Sequence, residues 1–158
     1  MKVGVHLVGQ KDVEKALDSL MERGTKIKKE VLITGHAVRN KARANLNAFN
    51  AVDTGHLKRS ILVEQEDALG GIMVEVGPTA PFGHFVEYGT GIFGPYKTPL
   101  TKMPPVAALE EWARHHGIDP FVLARAILRK GGLKPRPYLY PAAEEEIPPL
   151  YDRIKRLF

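Results

Sequence analysis

The sequence contains no cysteine. This absence excludes disulfide bonds, thiolate metal sites and cysteine nucleophiles, and it fits synthesis in a reducing compartment. Long apolar runs are also missing: none approaches the roughly 18–20 residues that cross a bilayer, and the N-terminal residues lack a signal-peptide core. Hydrophobic residues make up 44% and charged residues 26% of the 158 positions. We therefore expect a soluble globular protein, organised as a single domain over residues 1–158, with no membrane segment.

A nucleotide site is not expected, although Gly89 to Gly94 has the spacing GxGxxG. In dinucleotide-binding folds that motif follows a strand and opens directly into a helix, whose N-terminus binds the phosphates. Here the segment Pro95–Pro99 follows, and its two prolines do not suit such a helix. No P-loop ending is present either.

Catalytic and metal-binding patterns are equally weak. His84 and Glu87 are three residues apart, but no further histidine has a spacing that would complete a set of three or four ligands. Asp53 could pair with a strand carboxylate (Glu64, Glu66 or Glu75), yet nothing in the spacing requires it. The sequence predicts no enzyme, no cofactor and no metal ion.

The formal net charge is +5, and the sequence pI is about 9.5. A basic balance of this size suits nucleic acid or an acidic protein partner, or it is an ordinary solvated surface. Many of the cations, including Arg23, fall on the polar face of a predicted long helix. Six others on this helix form a candidate face for binding DNA or an acidic partner. These are Lys26, Lys28, Lys29, Arg39, Lys41 and Arg43.

The N-terminal half of the chain predicts an α+β fold. Apolar residues recur every three or four positions from Asp12 to about Ala48, which predicts a long helix, with Gly24 or Gly35 able to kink or divide it. A weak strand pattern precedes it at Val3–Val8, and two strands follow at Ser60–Gln65 and Gly71–Val76. A loop of about four residues would make the two strands an antiparallel hairpin for the helix to cover.

The C-terminal half predicts an exposed proline-rich loop at 92–105 and a two-helix insert at 105–132. Asp119 and Pro120 suit the cap and first position of the second insert helix, and Gly131 with Gly132 suits its end. An extended segment then leads into a last helix from Pro141. The aromatic residues Phe82, Phe85 and Tyr88, spaced by three, would lie on one side of a short turn, as core or interface residues. We expect the same role for Trp112.

Three motifs occur in order along the chain: VDTGHLKRSI at Val52–Ile61, VGPTAPFGHFVEYGTG at Val76–Gly91, and KPRPYLYPA at Lys134–Ala142. Together they resemble the tail-component family of long-tailed bacteriophages and prophages that is named after gene product ten of a lambdoid coliphage. The resemblance runs from about Lys11 over most of the chain. Tyr138 stands where the family often has phenylalanine, and the insert at 105–132 resembles one found in some members.

The resemblance implies a virion structural protein that is made in the host cytoplasm and is located at the head–tail junction. Such neck or tail-completion proteins form a homo-oligomeric ring between head-completion or connector proteins and the tail tube or tail terminator, with DNA passing through the lumen. The residues of the three motifs would form the corner between helix and sheet and the contacts with neighbouring subunits. Carried over onto this sequence, they are Asp53, Thr54, Gly55, Leu57, Phe85, Glu87, Tyr88, Gly89, Thr90, Arg136, Pro137 and Tyr138.

Two other functions stay open at this point. A basic nucleic-acid-binding module would use the cationic helix face, and its affinity for DNA would depend steeply on salt. A small hydrolase or nuclease has no acid, base or metal cluster in its favour. The sequence alone therefore predicts a phage structural protein first and a nucleic-acid-binding module second.

Overall fold

A computed structural model of the chain describes residues 10–51, 53–68 and 71–158. The expected strand at Val3–Val8 lies outside these residues. Helix α1 runs from Gln10 to Ala48 without a break, so neither Gly24 nor Gly35 divides it. At 1.5 Å per residue its 39 residues extend about 58 Å.

The sheet consists of strands β1 (Ile61–Ala68) and β2 (Gly71–Pro78), which pair antiparallel with Val63 opposite Val76. Both strands are about two residues longer than expected. One face of the hairpin packs on α1 at Gly35, where a Cβ atom would lie 2.6 Å from the nearest Val74 methyl carbon. This glycine thus allows close approach of helix and sheet, rather than the kink that its helix-breaking tendency had suggested.

Helix α6 (Tyr140–Lys155) returns along α1 in the opposite direction. Asn45 of α1 donates to the Tyr138 carbonyl at the start of α6, and near its end Arg153 donates to Glu30 at 2.7 Å and to Thr34 at 2.7 Å. Pro148 and Pro149 lie inside α6, which continues past them. The main buried cluster lies where α1, the sheet and α6 meet; it consists of Val38, Ala42, Leu46, Leu57, Ile61, Ala80, Tyr138 and Ala142.

Short elements connect these parts. Helix α2 (His56–Ser60), which the sequence analysis did not predict, precedes β1, and helix α3 (Gly83–Tyr88) follows β2. The expected helix from Pro105 is a 3₁₀ turn at Val106–Leu109 followed by α4 (Glu110–His115). Helix α5 (Pro120–Arg129) is capped by Asp119 as predicted, and the Asp119 carboxylate accepts from the Phe121 and Val122 amides.

The architecture is therefore α+β: a long N-terminal helix covers a two-stranded antiparallel sheet, and further helices follow toward the C-terminus. Residues 92–131, which we call the insert lobe, pack around buried Ala113, Ala124 and Ile127. Among the described residues, no helix is long and apolar enough to cross a membrane.

Candidate interaction surfaces

The three sequence motifs meet around one core. Leu57 and Ile61 come from the first motif, Ala80 from the second, and Tyr138 and Ala142 from the third, and all five are buried in the same cluster. Residues that are about 80 positions apart in sequence are therefore neighbours in the fold. This convergence explains why the motifs occur together.

Glu87 connects the second motif to the third. Its side chain is only 5% exposed, and its carboxylate accepts three backbone N–H groups: from Tyr138 at 2.7 Å, from Leu139 at 2.9 Å and from Tyr140 at 2.9 Å. These amides lie at the N-terminus of α6, where backbone donors lack partners within the helix and a negative charge is favoured. Glu87 thus caps a helix that begins more than fifty residues later in the chain.

Tyr138 fills the space behind α3. It is 1% exposed, and its hydroxyl donates to the Gly83 carbonyl at 3.5 Å. A Cβ atom at Gly83 would lie 2.5 Å from Pro78 and 3.0 Å from the Tyr138 hydroxyl, so only glycine fits there. Burial raises the pKa of the Tyr138 phenol far above its ordinary value, and the neighbouring Glu87 carboxylate raises it further.

The GxGxxG segment has a structural use. Gly89 and Gly91 have positive φ values of 73° and 63°, and a Cβ atom at either would collide with the backbone at Leu133 or Gly131. The two backbones join through hydrogen bonds from Thr90 N to Leu133 O and from Ile92 N to Gly131 O, each 2.9 Å. Thr90 Oγ1 also accepts from Leu133 N at 2.9 Å. The glycines therefore form the stem of the insert lobe, where a single 3₁₀ turn at Gly91–Phe93 stands in place of the α-helix that a dinucleotide site requires.

The corner between α1 and the sheet is held mainly by hydrogen bonds between side chains and backbone groups. Gly55 has a positive φ of 76°, and the Thr54 hydroxyl accepts from the His56 amide at 3.3 Å. Arg43 of α1 donates to the carbonyls of Lys58 and Ile61 at 3.0 and 2.9 Å. The Asp53 carboxylate faces His116 of the insert lobe across 3.7 Å.

An exposed cluster of rings, the aromatic patch, surrounds α3 and the start of α6. Phe82 is 40%, Phe85 46%, Tyr88 56% and Tyr140 60% exposed, which excludes a core role for the first three. Phe82 packs edge-on against His56. The pKa of Tyr140 is raised, first by its hydrogen bond to Glu144 and in smaller part by nearby Tyr88. The backbone beneath the patch is fixed by Glu87, Tyr138 and the stem.

The remaining predicted interface residues divide into two groups. Leu57, Glu87, Gly89 and Tyr138 are buried within their own chain, whereas the side chain of Arg136 is exposed and its amide donates to Val86 O at 2.8 Å. Pro137 is half-buried beside it. An intermolecular role for the exposed members stays a prediction, because a single chain does not test it.

The basic residues of α1 have several different surroundings. Lys26 pairs with Glu22 on the same helix, Lys28 pairs with Asp67 of β1, and Lys41 pairs with Glu145 of α6 at 2.6 Å. Arg39 contacts Asn40, and Lys29 is exposed. Arg43 holds the corner instead. The six cations therefore differ in their surroundings, and a role toward DNA stays untested.

The outer face of the hairpin was not predicted as a surface, although three of its carboxylates were considered as possible partners of Asp53. Leu62, Glu64, Glu66, Met73 and Glu75 alternate outward and are exposed. Glu64 lies directly opposite Glu75 in the strand register. The alternation of side chains along a strand predicts which residues share this face. Only the strand register shows that the two carboxylates lie opposite each other. Among the described residues, no group of three or more metal-binding side chains gathers here or elsewhere.

Comparison with known proteins identifies a family of phage proteins. The sequence model of a family described as "Bacteriophage HK97-gp10, putative tail-component" matches residues 11–89, which are half of the chain. No curated protein and no solved structure gives a significant match. The match covers α1, the hairpin and α3, and it ends at the stem of the insert lobe. The chain therefore belongs to this family of bacteriophage tail components.

Proposed function

We propose that the chain is a structural component of the head–tail junction, a neck or tail-completion protein that acts by contact and carries out no catalysis. Copies of the chain would form a ring between the head connector and the tail tube, around the path of the DNA. Family membership supports the phage structural role. The position at the junction and the ring are our proposal.

The observation that carries the proposal is the aromatic patch. Its rings are at least 40% exposed, although the backbone that bears them is fixed by a buried carboxylate, a buried tyrosine and the glycine stem. Rigid, exposed aromatic side chains bury large areas at low entropic cost and are enriched among the residues that dominate binding energy. A patch of this kind suits a protein whose function is contact.

The exposed part of α1 agrees with this. Arg23 of α1 lies over the ring of Phe158, which follows α6. Before Arg23, the helix bears Val13, Leu17 and Leu20, each more than 50% exposed. Their spacing of three and four residues places them on one stripe. A subunit of a ring held by heterologous contacts meets different neighbours on different faces, and it therefore needs several such surfaces.

Electron microscopy of phage particles made with and without this chain tests the proposal. Filled heads and finished tails that remain unjoined would establish the neck role. Tails of uncontrolled length would move the chain to the terminator position. Normal infectious particles without the chain would refute the structural role.

A substitution refines the same test. Phe85→Asp places a charge in the aromatic patch and should prevent joining of heads to tails, because burying that charge in a contact is unfavourable. Tyr151→Asp is the matched control, since Tyr151 is 61% exposed and lies on α6, outside both the patch and the insert lobe. Equal thermal unfolding of both variants would exclude a folding defect.

A nucleic-acid-binding module is less favoured, because Lys26, Lys28 and Lys41 pair with carboxylates of their own chain. Strongly salt-dependent binding of the isolated chain to DNA, lost on joint substitution of Lys26, Lys28 and Lys29 by alanine, would reverse that preference.

A further inference from the structure

We propose that the outer face of the hairpin is the docking surface for the insert lobe of a second copy of this chain. The inference rests on the proposed ring and names the two faces that would meet in it. Every copy would offer its lobe to one neighbour and its sheet to the other. Such a heterologous contact closes into a ring when the rotation allows it.

The sheet face has the properties of a covered surface. Leu62 and Met73 are 42% and 50% exposed on it, and they alternate with the carboxylates of Glu64, Glu66 and Glu75. In the part of the chain that the structure describes, none of these three carboxylates has an ion pair or a hydrogen bond. Glu64 and Glu75 stand opposite each other, an arrangement of like charges that destabilises a hairpin on its own.

Charge identifies the occupant. Residues 61–78 contain four carboxylates and no lysine or arginine, whereas the insert lobe contains six lysines and arginines against three carboxylates. None of those six cations forms an ion pair within the described residues. The lobe therefore has an excess of three positive charges. Because Asp67 pairs with Lys28 of α1, the sheet keeps three unpaired carboxylates, and among the described residues no ion pair joins the lobe to the sheet.

Helix α5 gives the lobe a matching stripe. Phe121, Arg125 and Arg129 follow one another at intervals of four residues, and the Arg125 guanidinium lies over the Phe121 ring. The two arginines are about 6 Å apart along the helix. Glu64 and Glu66 are about 7 Å apart along the strand. Both surfaces thus combine exposed apolar groups with charges at similar spacing and opposite sign.

The stem makes the lobe a separate contact element. The backbone leaves at Ile92 and returns at Gly131, where the two are joined by a hydrogen bond of 2.9 Å. The family match ends just before this point, at Gly89. The proposed partner of the sheet is consequently a part of this chain that the family match does not include.

Charge reversal of the full chain tests the contact. Glu64→Lys with Glu75→Lys, or Arg125→Glu with Arg129→Glu, should each weaken self-association in sedimentation velocity by at least about 100-fold, because like charges then face each other. Self-association of the unaltered chain should also weaken with added salt. Lys155→Glu with Arg156→Glu is the matched control, with the same number of reversed charges at the exposed end of α6, and should leave association unchanged.

Combining the charge reversals distinguishes a loss of docking from a loss of folding. A chain with all four reversals should associate again, and a mixture of the two double variants should form rings with alternating subunits. Glu75→Lys alone should raise the urea midpoint of the chain, since it replaces a repulsive cross-strand pair with an attractive one, and should nevertheless weaken association. A merely structural role for Glu75 would not produce these opposite effects.

Each alternative to this docking contact predicts a different experimental result. An unaltered chain that stays monomeric up to about 100 μM, or reversals that leave association unchanged, would overturn the inference. Loss of head–tail joining on reversal of the sheet alone, with self-association intact, would assign the face to a basic surface of another virion protein. Particles that need the chain but tolerate every reversal would refute only the docking surface, whereas normal particles without the chain would refute the proposed function itself.

Discussion

Glu87 offers the sharpest test of how the fold is held together. Glu87→Ala removes a carboxylate that accepts from Tyr138, Leu139 and Tyr140. The Tyr138 amide is fully buried, and leaving such a donor unpaired costs about 1–3 kcal/mol. Loss of the negative cap and of the two half-buried bonds brings the expected decrease in the free energy of unfolding to about 3 kcal/mol.

Glu87→Gln distinguishes the charge from the shape. The amide oxygen can still accept from Tyr138 and Leu139, but the amide nitrogen would face the Tyr140 donor. We expect a loss of about 1–2 kcal/mol, between the unaltered chain and Glu87→Ala. Glu66→Gln removes an exposed carboxylate without a hydrogen-bond partner in the described structure, and it should stay within about 0.5 kcal/mol of the unaltered chain.

Urea unfolding followed by circular dichroism measures these differences through the midpoint and the slope. For a chain of this length the alanine variant should unfold about 6–12 °C lower on heating. Hydrogen exchange should show selective loss of protection at the Tyr138, Leu139 and Tyr140 amides. Unfolding curves of Glu87→Ala that superimpose on those of the unaltered chain would refute the capping role.

The remaining predictions concern Tyr138, two glycines and Asp119. Because the raised pKa of Tyr138 keeps the phenol neutral in the folded state while the unfolded one ionises near pH 10, stability should be full below pH 10 and fall above it. Urea midpoints between pH 8 and 11 should show this decline, and Tyr138→Phe should reduce it. Gly24→Ala, with nothing within 4 Å of the new Cβ, should stabilise α1 by about 0.5–1 kcal/mol. Gly91→Ala, with φ at 63° and the Gly131 carbonyl in contact, should cost more than about 2 kcal/mol, and thermal unfolding of this pair should shift in opposite directions. Asp119→Ala should lower the free energy of unfolding by about 1 kcal/mol in urea titrations and expose the Phe121 and Val122 amides to hydrogen exchange.

Local patterns were sufficient to predict most of the secondary structure. The apolar repeat of α1, the alternation in the strands and the Asp119–Pro120 start of α5 are each encoded within a few residues, and each is present in the structure. Gly35 was expected to kink or divide α1, whereas in the structure it allows the sheet to approach the helix closely. Its role depends on Val74, which is thirty-nine positions away and is brought close only by the fold.

Contacts between residues far apart in sequence could not be predicted from local patterns. Glu87 next to His84 suggested a metal site only weakly, and nothing local indicates that its partners are the amides of residues 138–140. The opposition of Glu64 and Glu75 likewise depends on register, which the length of the turn sets. The resemblance of the motifs did predict correctly the family to which the chain belongs.

The packing of α6 on α1 has a consequence for synthesis on the ribosome. Leu46 and Ile61 are covered in part by Tyr138 and Ala142, which are translated about eighty to a hundred residues later. Closing such distant pairs makes folding slower than forming local ones, and a nascent chain exposes its apolar surface until the last turns emerge. The N-terminal helix and the hairpin therefore complete their buried core only after the C-terminal helix has been synthesised. A chain that stops before Tyr138 would leave the ribosome with its core uncovered.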